Sequence, residues 1–328
     1  MKTGKIIQQP LAYFSNKSFG QKSILQKYLI CIFLCVFAVL QTNAQVDPLQ
    51  SGNEKLSKRN FDGAIQDFNN AIVKNPNNVE ALCGRAEAKL YLLNYAEATK
   101  DAELAASLDP NCARADVIMG DILFSQKDYL KALKFYMDAS QLPNPPPQAT
   151  TGKAKVMNQL GNPKEAYRIL DEAIQTQPNA EYYYARGMLN NSKEKYTKAI
   201  QDFDKAFSLN PTFNAFGLYL NRGATYLTLK EMDKALSDFS KAVELDPKNA
   251  PAYHSRGLVH YEQGDYEDAI NDFLKSTDLN PNNNVAFYNL GMAYYKTNNV
   301  ESACLYFHKS CPLGNTNACK MIIMICTE

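Results

Sequence analysis

Small and apolar residues recur along most of the chain at nearly constant intervals. Residues 64–76 read AIQDFNNAIVKNP and residues 199–211 read AIQDFDKAFSLNP, which is nearly the same segment written twice. The alanine that opens the segment stands in eight places, at intervals of 33 to 36 residues: Ala64, Ala98, Ala132, Ala166, Ala199, Ala235, Ala269 and Ala303. A fixed period of this size is the signature of a repeat architecture. The pattern therefore predicts eight copies of one unit, which fill residues 45 to about 317.

Within each copy, numbered from position 1 to position 34, the pattern predicts two helices. Positions 4, 8 and 11 share one face of a first helix, and positions 20, 24 and 27 share one face of a second. Position 8 is Gly or Ala, position 20 is Ala, and position 24 is Phe or Tyr in six copies. The small residues let the two helices approach closely, and the aromatic ring fills the remaining space. Pro at position 32 ends the second helix in six copies, because it cannot continue the hydrogen-bond ladder.

The sixth and seventh copies carry the clearest motif, YLNRGATYLTLKEMDKALSDFSKAVELDP and YHSRGLVHYEQGDYEDAINDFLKSTDLNP. This pattern resembles the tetratricopeptide repeat (TPR). The resemblance implies an all-α fold, a right-handed α-solenoid of about eight helix-turn-helix repeats with a concave and a convex face. Copies one to three occupy residues 45–146 and copies four to eight occupy residues 147–317. A single unit is too small to bury its own core, so the copies are expected to stack.

Two segments depart from the repeat. Residues 142–152 read LPNPPPQATTG, and the three consecutive prolines and the Thr/Gly run disfavour a well-formed first helix in copy four. We expect a kink or hinge there, between copies one to three and copies four to eight. The second departure is PTFNAFG at residues 211–217, where two extra residues enter before copy six.

Arginine at position 7 and aspartate at position 23 recur together in four copies. The pairs are Arg85 with Asp101, Arg186 with Asp202, Arg222 with Asp238, and Arg256 with Asp272. Such a set is compatible with catalysis, but the two positions lie on facing helices, which favours repeated structural ion pairs within the stack. Copy one has only the aspartate, and Asp67 is expected to reach Arg85 of the next copy.

The first 44 residues differ from the rest. They contain five lysines and no acid, and the apolar run YLICIFLCVFAVL spans residues 28–40 before a small-residue segment that ends at Ala44. These are the features of a signal peptide over residues 1–44. An uncleaved signal-anchor is the alternative, although a helix of thirteen residues reaches only about 20 Å across a bilayer core of about 30 Å. The chain is therefore expected to be exported, to a periplasmic or envelope-associated location or by secretion, and to meet the membrane only transiently through this segment.

Charge and motif content argue against several kinds of site. Without the five N-terminal lysines the chain has 30 basic and 34 acidic residues and no basic face, so nucleic acid is not an expected partner. The three histidines are His254, His260 and His308, and there is no Cys-x-x-Cys, His-Glu-x-x-His or acidic calcium loop. Neither a metal nor a cofactor is expected. No Gly-x-Ser-x-Gly motif is present either, so the protein is expected not to be an enzyme.

Four of the six cysteines that follow residue 44 lie in the last 25 residues. Residues 303–319 resemble the Sel-like repeat, a cysteine-containing relative of the TPR. That resemblance implies a bridge between Cys311 and Cys319, which would hold a C-terminal capping helix within residues 311–328. Cys304 with Cys326 is a second candidate bridge. Cys83 and Cys112 fall at the same end of one helix pair, but nothing in the sequence requires a bond between them.

The TPR resemblance places a ligand on the concave face, along the first helices. In copies five to eight the corresponding residues are Tyr184, Met188, Asn191, Leu220, Asn221, Leu227, His254, Leu258, Tyr261, Tyr288, Asn289, Met292 and Tyr295. Tyr offers a large contact area, Met adapts to its neighbours and Asn bonds peptide backbone. The alternative is that these residues pack between copies. A clamp for a chaperone tail is not expected, since among the equivalent residues of copies one to three only Asn53 matches that pattern.

Three functions follow from these features. The first is an exported, non-enzymatic scaffold that binds a protein or peptide through its concave groove, in cell-envelope assembly or secretion. The second is a structural spacer or self-assembling rod without a peptide-binding groove. The third is a substrate platform within an enzyme complex.

Overall fold

A computed structural model of the chain describes residues 47–326, and all of its regular structure in that range is helical. The predicted signal peptide, residues 1–44, lies outside the described residues. The helices are α1 (Pro48–Ser57), α2 (Phe61–Lys74), α3 (Val79–Tyr91), α4 (Tyr95–Leu108), α5 (Ala113–Ser125), α6 (Tyr129–Gln141), α7 (Pro147–Gln159), α8 (Pro163–Thr176), α9 (Ala180–Ser192), α10 (Tyr196–Leu209), α11 (Ala215–Thr228), α12 (Met232–Leu245), α13 (Ala250–Gln263), α14 (Tyr266–Leu279), α15 (Asn284–Lys296), α16 (Val300–Ser310) and α17 (Thr316–Ile325).

The helices from α1 to α16 form eight pairs, one for each copy of the repeat. The odd-numbered helix of a pair is the first helix of its copy and the even-numbered helix is the second. Each helix packs against the next, and each first helix also packs against the first helix of the following copy. The predicted all-α, right-handed α-solenoid is confirmed. In the range Pro48–Ile325, no helix is both long enough and apolar enough to cross a membrane.

Polar residues fix where the first helices begin. The side chains of Asn78, Asn249 and Asn283 each accept a hydrogen bond from a backbone N–H in the first turn that follows, at 3.0 to 3.1 Å. Such N-caps satisfy donors that the helix itself leaves unpaired. The turn between the two helices of a copy always contains one residue with positive φ, from Arg59 in copy one to Asn298 in copy eight. The turn is therefore the same tight connection throughout the stack.

The proline-rich segment does not disrupt the first helix of copy four, so that expectation is wrong. Helix α7 runs without a break over Pro147–Gln159, as long as the first helices of copies two and three. Pro147 occupies the first turn, where its missing N–H costs nothing, and the two preceding prolines lie outside the helix. Gly152 is buried beneath the ring of Tyr136, which explains why a helix contains glycine here. A hinge at residues 142–152 remains a prediction.

A close contact between an aromatic ring and a glycine holds the two helices of most copies together. The ring at position 24 is fully buried in six copies: Phe68, Tyr136, Phe203, Phe239, Phe273 and Phe307. The facing position 8 is glycine in the same six copies, where an added Cβ would come within 2.6 to 3.1 Å of the ring. The other two copies pair Ala86 with Ala102 and Ala154 with Leu170. Glycine therefore occurs where the ring does, and alanine occurs where the ring is absent.

The four Arg–Asp pairs are present as structural ion pairs on facing helices. Their shortest nitrogen–oxygen distances are 2.6 to 2.8 Å, and each aspartate is buried. The expectation for Asp67 is wrong. Its carboxylate lies 2.7 Å from Lys55 Nζ and accepts a hydrogen bond from Ser51, within the same copy. Lys55 lies one turn beyond position 7 on the first helix, so it supplies the charge that the missing arginine does not.

The C-terminal helix α17 is attached to α16 by two disulfides. One joins Cys311 to Cys319, and the other joins Cys304 to Cys326. A short 3₁₀ segment, Cys311–Leu313, connects the two helices. Met321, Ile322 and Ile325 of α17 cover the core around Phe307. The helix therefore closes the apolar end of the stack, as the predicted capping helix would.

We predict that Gly257→Ala destabilises the solenoid through the ring that faces it. The new Cβ would lie 2.8 Å from the Phe273 ring, and overpacking of this kind costs about 1–3 kcal/mol, which exceeds the gain of about 1 kcal/mol in helix propensity. Adding Phe273→Leu reproduces the Ala–Leu combination of copy four. Chemical denaturation of the two single variants and the double variant should show a favourable coupling of about 0.5–3 kcal/mol. Strictly additive costs would contradict this account.

The matched control is Ala154→Gly in copy four, where Leu170 replaces the ring. It should cost about 1 kcal/mol, because it loses helix propensity and relieves no contact.

Candidate partner-binding site

The concave face of the first five copies surrounds a cavity of about 1480 Å³. Its wall is formed mainly by residues at positions 2, 5, 9, 12 and 13 of the first helices α1, α3, α5, α7 and α9. On the open side the loop before α11 and the end of α12 complete the lining. Ligand pockets are typically about 300–1,000 Å³, so this volume is large enough for a peptide segment of several residues.

The cavity is closed by a contact between copy one and copy six. Arg59, in the turn between α1 and α2, places its Nε 2.8 Å from Asp246 Oδ2, although 187 residues separate them in the chain. The guanidinium also lies over the Phe216 ring, with 4.5 Å between Cζ and the ring centroid. The stacked rings of Phe61 and Tyr91 are also near the guanidinium, with 5.3 and 5.9 Å between Cζ and their centroids. One side chain therefore joins two distant parts of the solenoid.

One end of the cavity is aromatic. Its rings come from copies one to three, from α9, from the segment that leads into α11 and from α11 itself: Phe61, Tyr91, Phe124, Tyr184, Phe213, Phe216 and Tyr219. The Tyr184 ring lies 6.0 Å from Phe213, edge-on, and its hydroxyl accepts a hydrogen bond from Asn221 at 2.9 Å. The two extra residues before copy six belong to this end, which gives that irregularity of the sequence a structural role.

Another part of the wall is polar and follows positions 2 and 9 of successive first helices. Arg114 donates to Glu87 at 2.7 Å, and Asn53 donates to Glu80 at 3.1 Å. The carboxylate of Asp121 accepts a hydrogen bond of 2.7 Å from the buried Tyr136 hydroxyl. Across the described residues, no three or more His, Cys, Asp or Glu side chains are grouped so that they could hold a metal ion.

Glu181 is the most buried carboxyl group of this wall, with 9% of the residue exposed. Its oxygens accept hydrogen bonds from Gln148 Nε2 at 2.7 Å and from Thr151 Oγ1 at 3.3 Å. Burial raises the pKa of Glu181 to about 7, because desolvation disfavours the carboxylate more than its neighbours stabilise it. Near neutral pH the cavity therefore contains a carboxyl group that is poised between its two protonation states.

Of the thirteen residues predicted for the concave groove, Tyr184 and Met188 line this cavity. Several others join successive first helices instead. Asn289 Nδ2 lies 2.9 Å from His254 Nε2, and Thr225 donates to Asn191 at 3.3 Å. Asn221 likewise donates a hydrogen bond to the Tyr184 hydroxyl of the preceding first helix.

The remaining predicted residues are largely half-buried between copies. Leu220 and Leu227 pack beside Phe239, while Leu258 and Tyr261 pack beside Phe273. Tyr288 and Met292 cover Phe307, and Tyr295 is more exposed. Much of this set therefore has a packing role, which is the alternative that the sequence left open. Whether it also binds a partner stays a prediction.

Sequence reasoning missed the polar wall and the contact that closes the cavity. Glu87, Asp121 and Lys155 stand at position 9, which the repeat assigns to the concave face, so their charges were a usable signal. Arg59 gave no such signal. It lies at a turn position where the other copies have Leu, Lys, Gly, Glu or Asn, and its partner is five copies away.

An α-solenoid built from helix pairs, with a lined concave cavity, is the class of protein that these features define. Family profiles described as tetratricopeptide repeat match residues 83–144, 180–213, 218–249 and 239–271, and one described as TPR repeat matches residues 257–298. The chain belongs to the tetratricopeptide repeat family.

Relatives and solved structures agree with this assignment. The chain is 27% identical to tetratricopeptide repeat protein 6 from Homo sapiens over 58% of its own length and 36% of that protein. It is 33% identical to Hsp70-Hsp90 organizing protein 1 from Glycine max over 27% of its length and 16% of that protein. The chain therefore spans well under two thirds of these relatives. Its fold matches the crystal structure of the APC/C hetero-tetramer Cut9-Hcn1 with a TM-score of 0.57 and 20% identity, over 79% of this chain and 50% of that one.

We predict that Arg59→Ala opens the cavity. The variant loses the Asp246 ion pair and the ring contacts together, which should cost about 1–2 kcal/mol and let copies one and six separate. Small-angle X-ray scattering should show a larger radius of gyration at unchanged helix content. The matched control is Lys230→Ala, at the same turn position of copy six, which should leave the scattering curve unchanged. An Arg59→Ala chain as compact as the parent would show that closure does not depend on this residue.

Proposed function

We propose that the chain is an exported, non-enzymatic TPR scaffold that binds a protein or peptide segment in its concave cavity. The observation that carries this proposal is the cavity itself, which combines an aromatic end with a wall of amide and ionic side chains. Aromatic side chains provide contact area for apolar residues of a ligand, and the polar wall provides partners for backbone and charged groups.

An unsatisfied acceptor in the wall supports a ligand with hydrogen-bond donors. Asn158 lines the cavity, and its Oδ1 is buried behind the surface without a hydrogen-bond partner among residues 47–326. Buried polar atoms without partners are uncommon in folded proteins, and a water, an ion or a ligand is one way in which such an atom is satisfied. A peptide backbone presents N–H donors along its length and extends by about 3.3 Å per residue, so a segment of a few residues fits the cavity.

The relatives support a role in protein interaction. The Glycine max protein is named as an organizer of Hsp70 and Hsp90, and the structural neighbour is part of a hetero-tetramer. The feature that this chain shares with these proteins is the repeat alone. We infer that the repeats act here too as an interaction surface, with copies five to eight as an extension of the cavity site along the same face.

The proposal that the protein is exported and acts in envelope assembly or secretion is supported by two further features. Residues 1–44 have the layout of a signal peptide. The C-terminal helix is held by two disulfides, and disulfides persist mainly in oxidising compartments.

We predict that blocking the cavity removes partner binding. Met188→Arg places a long charged side chain in the cavity, since Met188 lines it and is partly exposed. Affinity purification from the native envelope, followed by mass spectrometry, should recover specific partners at least about tenfold less well, a loss equivalent to about 1.4 kcal/mol. The matched control, Met137→Arg, makes the same change at an exposed position of α6 that does not line the cavity, and should retain the partners.

A third variant, Tyr261→Ala with Tyr288→Ala, tests the groove of copies seven and eight. Partners lost only in this variant would place binding outside the cavity and contradict its assignment as the site. Full recovery in all three variants would contradict a concave binding site altogether.

A further inference from the structure

Two carboxyl groups of the cavity wall have no cationic partner within ion-pair distance. The Asp121 carboxylate accepts a hydrogen bond from the neutral Tyr136 hydroxyl. The Glu181 carboxyl group accepts hydrogen bonds from the neutral side chains of Gln148 and Thr151. Neither forms an ion pair with any residue that the structure describes. A buried carboxylate without a cation is costly to maintain, so a site that retains one is a candidate for binding a cation from outside.

The cations of the cavity are mostly committed elsewhere. Arg59 is paired with Asp246 and Arg114 with Glu87, at 2.8 and 2.7 Å. Lys155 faces the cavity from α7 and is exposed, and its charge acts on Glu181 from beyond ion-pair distance. Against it stand the charges of Asp121 and Glu87, which also act on Glu181. Between α5 and α9 the cavity wall can therefore accept more hydrogen bonds than it can donate.

We propose that the cavity selects a peptide segment with a basic side chain. Asp121 and Glu181 receive its guanidinium or ammonium group, Asn158 Oδ1 accepts one of its N–H donors, and the aromatic end takes a neighbouring apolar residue. This inference rests on the proposed function, because it assumes that the occupant of the cavity is a peptide. It differs from a carboxylate clamp, which would need free cations where this wall has acids.

The ionisation of Glu181 gives the proposal a pH signature. Its pKa is raised to about 7 by burial, so the group is largely protonated at pH 6 and largely ionised at pH 8. A cationic ligand interacts more favourably with the ionised form. Affinity for a basic peptide should therefore rise as the pH is raised from 6 to 8, and bound peptide should in turn lower the pKa of Glu181.

We predict a preference that direct binding can measure. Three pools of fluorescein-labelled hexapeptide amides are titrated with the full chain, and binding is followed by fluorescence anisotropy. The pools share the same mixture of Ala, Leu and Phe at five positions and carry Arg, Gln or Glu at the third. The Arg pool should bind at least about tenfold more tightly than the Glu pool at pH 8, with the Gln pool between them. The preference should shrink at pH 6.

The variants Glu181→Gln and Asp121→Asn keep the shapes of the side chains and remove their charges. Each should reduce the Arg preference severalfold, and Glu181→Gln should also flatten its pH dependence. The matched control is Glu172→Gln on the exposed side of α8, which should change neither. Equal binding of the three pools, or an Arg preference that survives both variants, would overturn this inference and leave the proposed function intact. No saturable binding of any pool would contradict both.

A second inference comes from a different observation, the approach of two free thiols. Cys83 Sγ on α3 and Cys112 Sγ at the start of α5 lie 3.7 Å apart, and neither is bridged. Cys112 is partly exposed, whereas Cys83 is buried. The hydrogen bond from Cys83, together with bonds from the backbone N–H groups of Arg114 and Ala115, lowers the pKa of Cys112 to about 6. The pKa of Cys83 is raised by its hydrogen bond to Cys112 and by burial.

We infer that Cys83 and Cys112 form a disulfide by exchange with an external disulfide of the glutathione type. The Cys112 thiolate attacks one sulfur of that disulfide, forms a mixed disulfide and releases one thiolate. Cys83 then loses its proton and attacks Cys112 Sγ, which releases the second thiolate. The two protein thiols are oxidised by two electrons, and one external disulfide is reduced to two thiols. The bond would join the first helices of copies two and three beside the Glu87–Arg114 pair of the cavity.

We predict that oxidised glutathione produces this bond in the full chain. After alkylation and tryptic digestion, mass spectrometry should find residues 75–85 joined to residues 101–114. In the variant Cys83→Ser, the reaction should stop at the mixed disulfide of glutathione with Cys112. In the variant Cys112→Ser, Cys83 should remain unmodified. Separate alkylation of both cysteines after oxidation of the parent chain, or attachment to Cys83 in Cys112→Ser, would overturn the inference.

Discussion

The contact between a position-24 ring and a position-8 glycine is the constraint on which the rest of the structure depends. The ring leaves no room for a Cβ, so the two helices of a copy are held at one separation and one angle. Six copies use the same contact, and each copy stacks on the next with a small rotation, as is general for solenoids. The accumulated rotation gives the solenoid its curvature, and the curvature brings copy one to copy six. The cavity is therefore a consequence of packing that takes place outside it.

The packing of the repeats and the contact that closes the cavity contribute very different amounts to stability. Removing a buried aromatic ring typically costs about 3–5 kcal/mol, and six such rings are distributed along the chain. Arg59 contributes one partly exposed ion pair and a few ring contacts, together worth about 1–2 kcal/mol. The fold is thus fixed by the repeats, whereas the closed state of the cavity depends on a contact weak enough for a ligand to replace. This difference is compatible with the proposed function, in which an extended segment would enter the cavity.

The residues that repeat and the residues that vary have separate roles. Positions 8, 20 and 24 are nearly uniform and build the core. Position 9 changes from copy to copy and reads Asn53, Glu87, Asp121, Lys155 and Met188 along the cavity. Because a solenoid places equivalent positions side by side, this variation becomes a row of different side chains along one wall. Under the proposed function, these variable positions of a uniform scaffold would be the ones that select a partner.

The sequence by itself determined the features that depend on neighbouring residues. The period of the repeat, the helix pairs and the four Arg–Asp pairs involve residues within one or two copies, so a local pattern suffices to predict them. The Cys311–Cys319 bridge is equally local, and the resemblance to the Sel-like repeat implied it. Only the tertiary structure decided the closure by Arg59 and Asp246, the burial of Glu181 and the intact helix α7. The physical reason is that curvature is the sum of small rotations over many copies, and no single copy encodes where that sum brings two distant residues together.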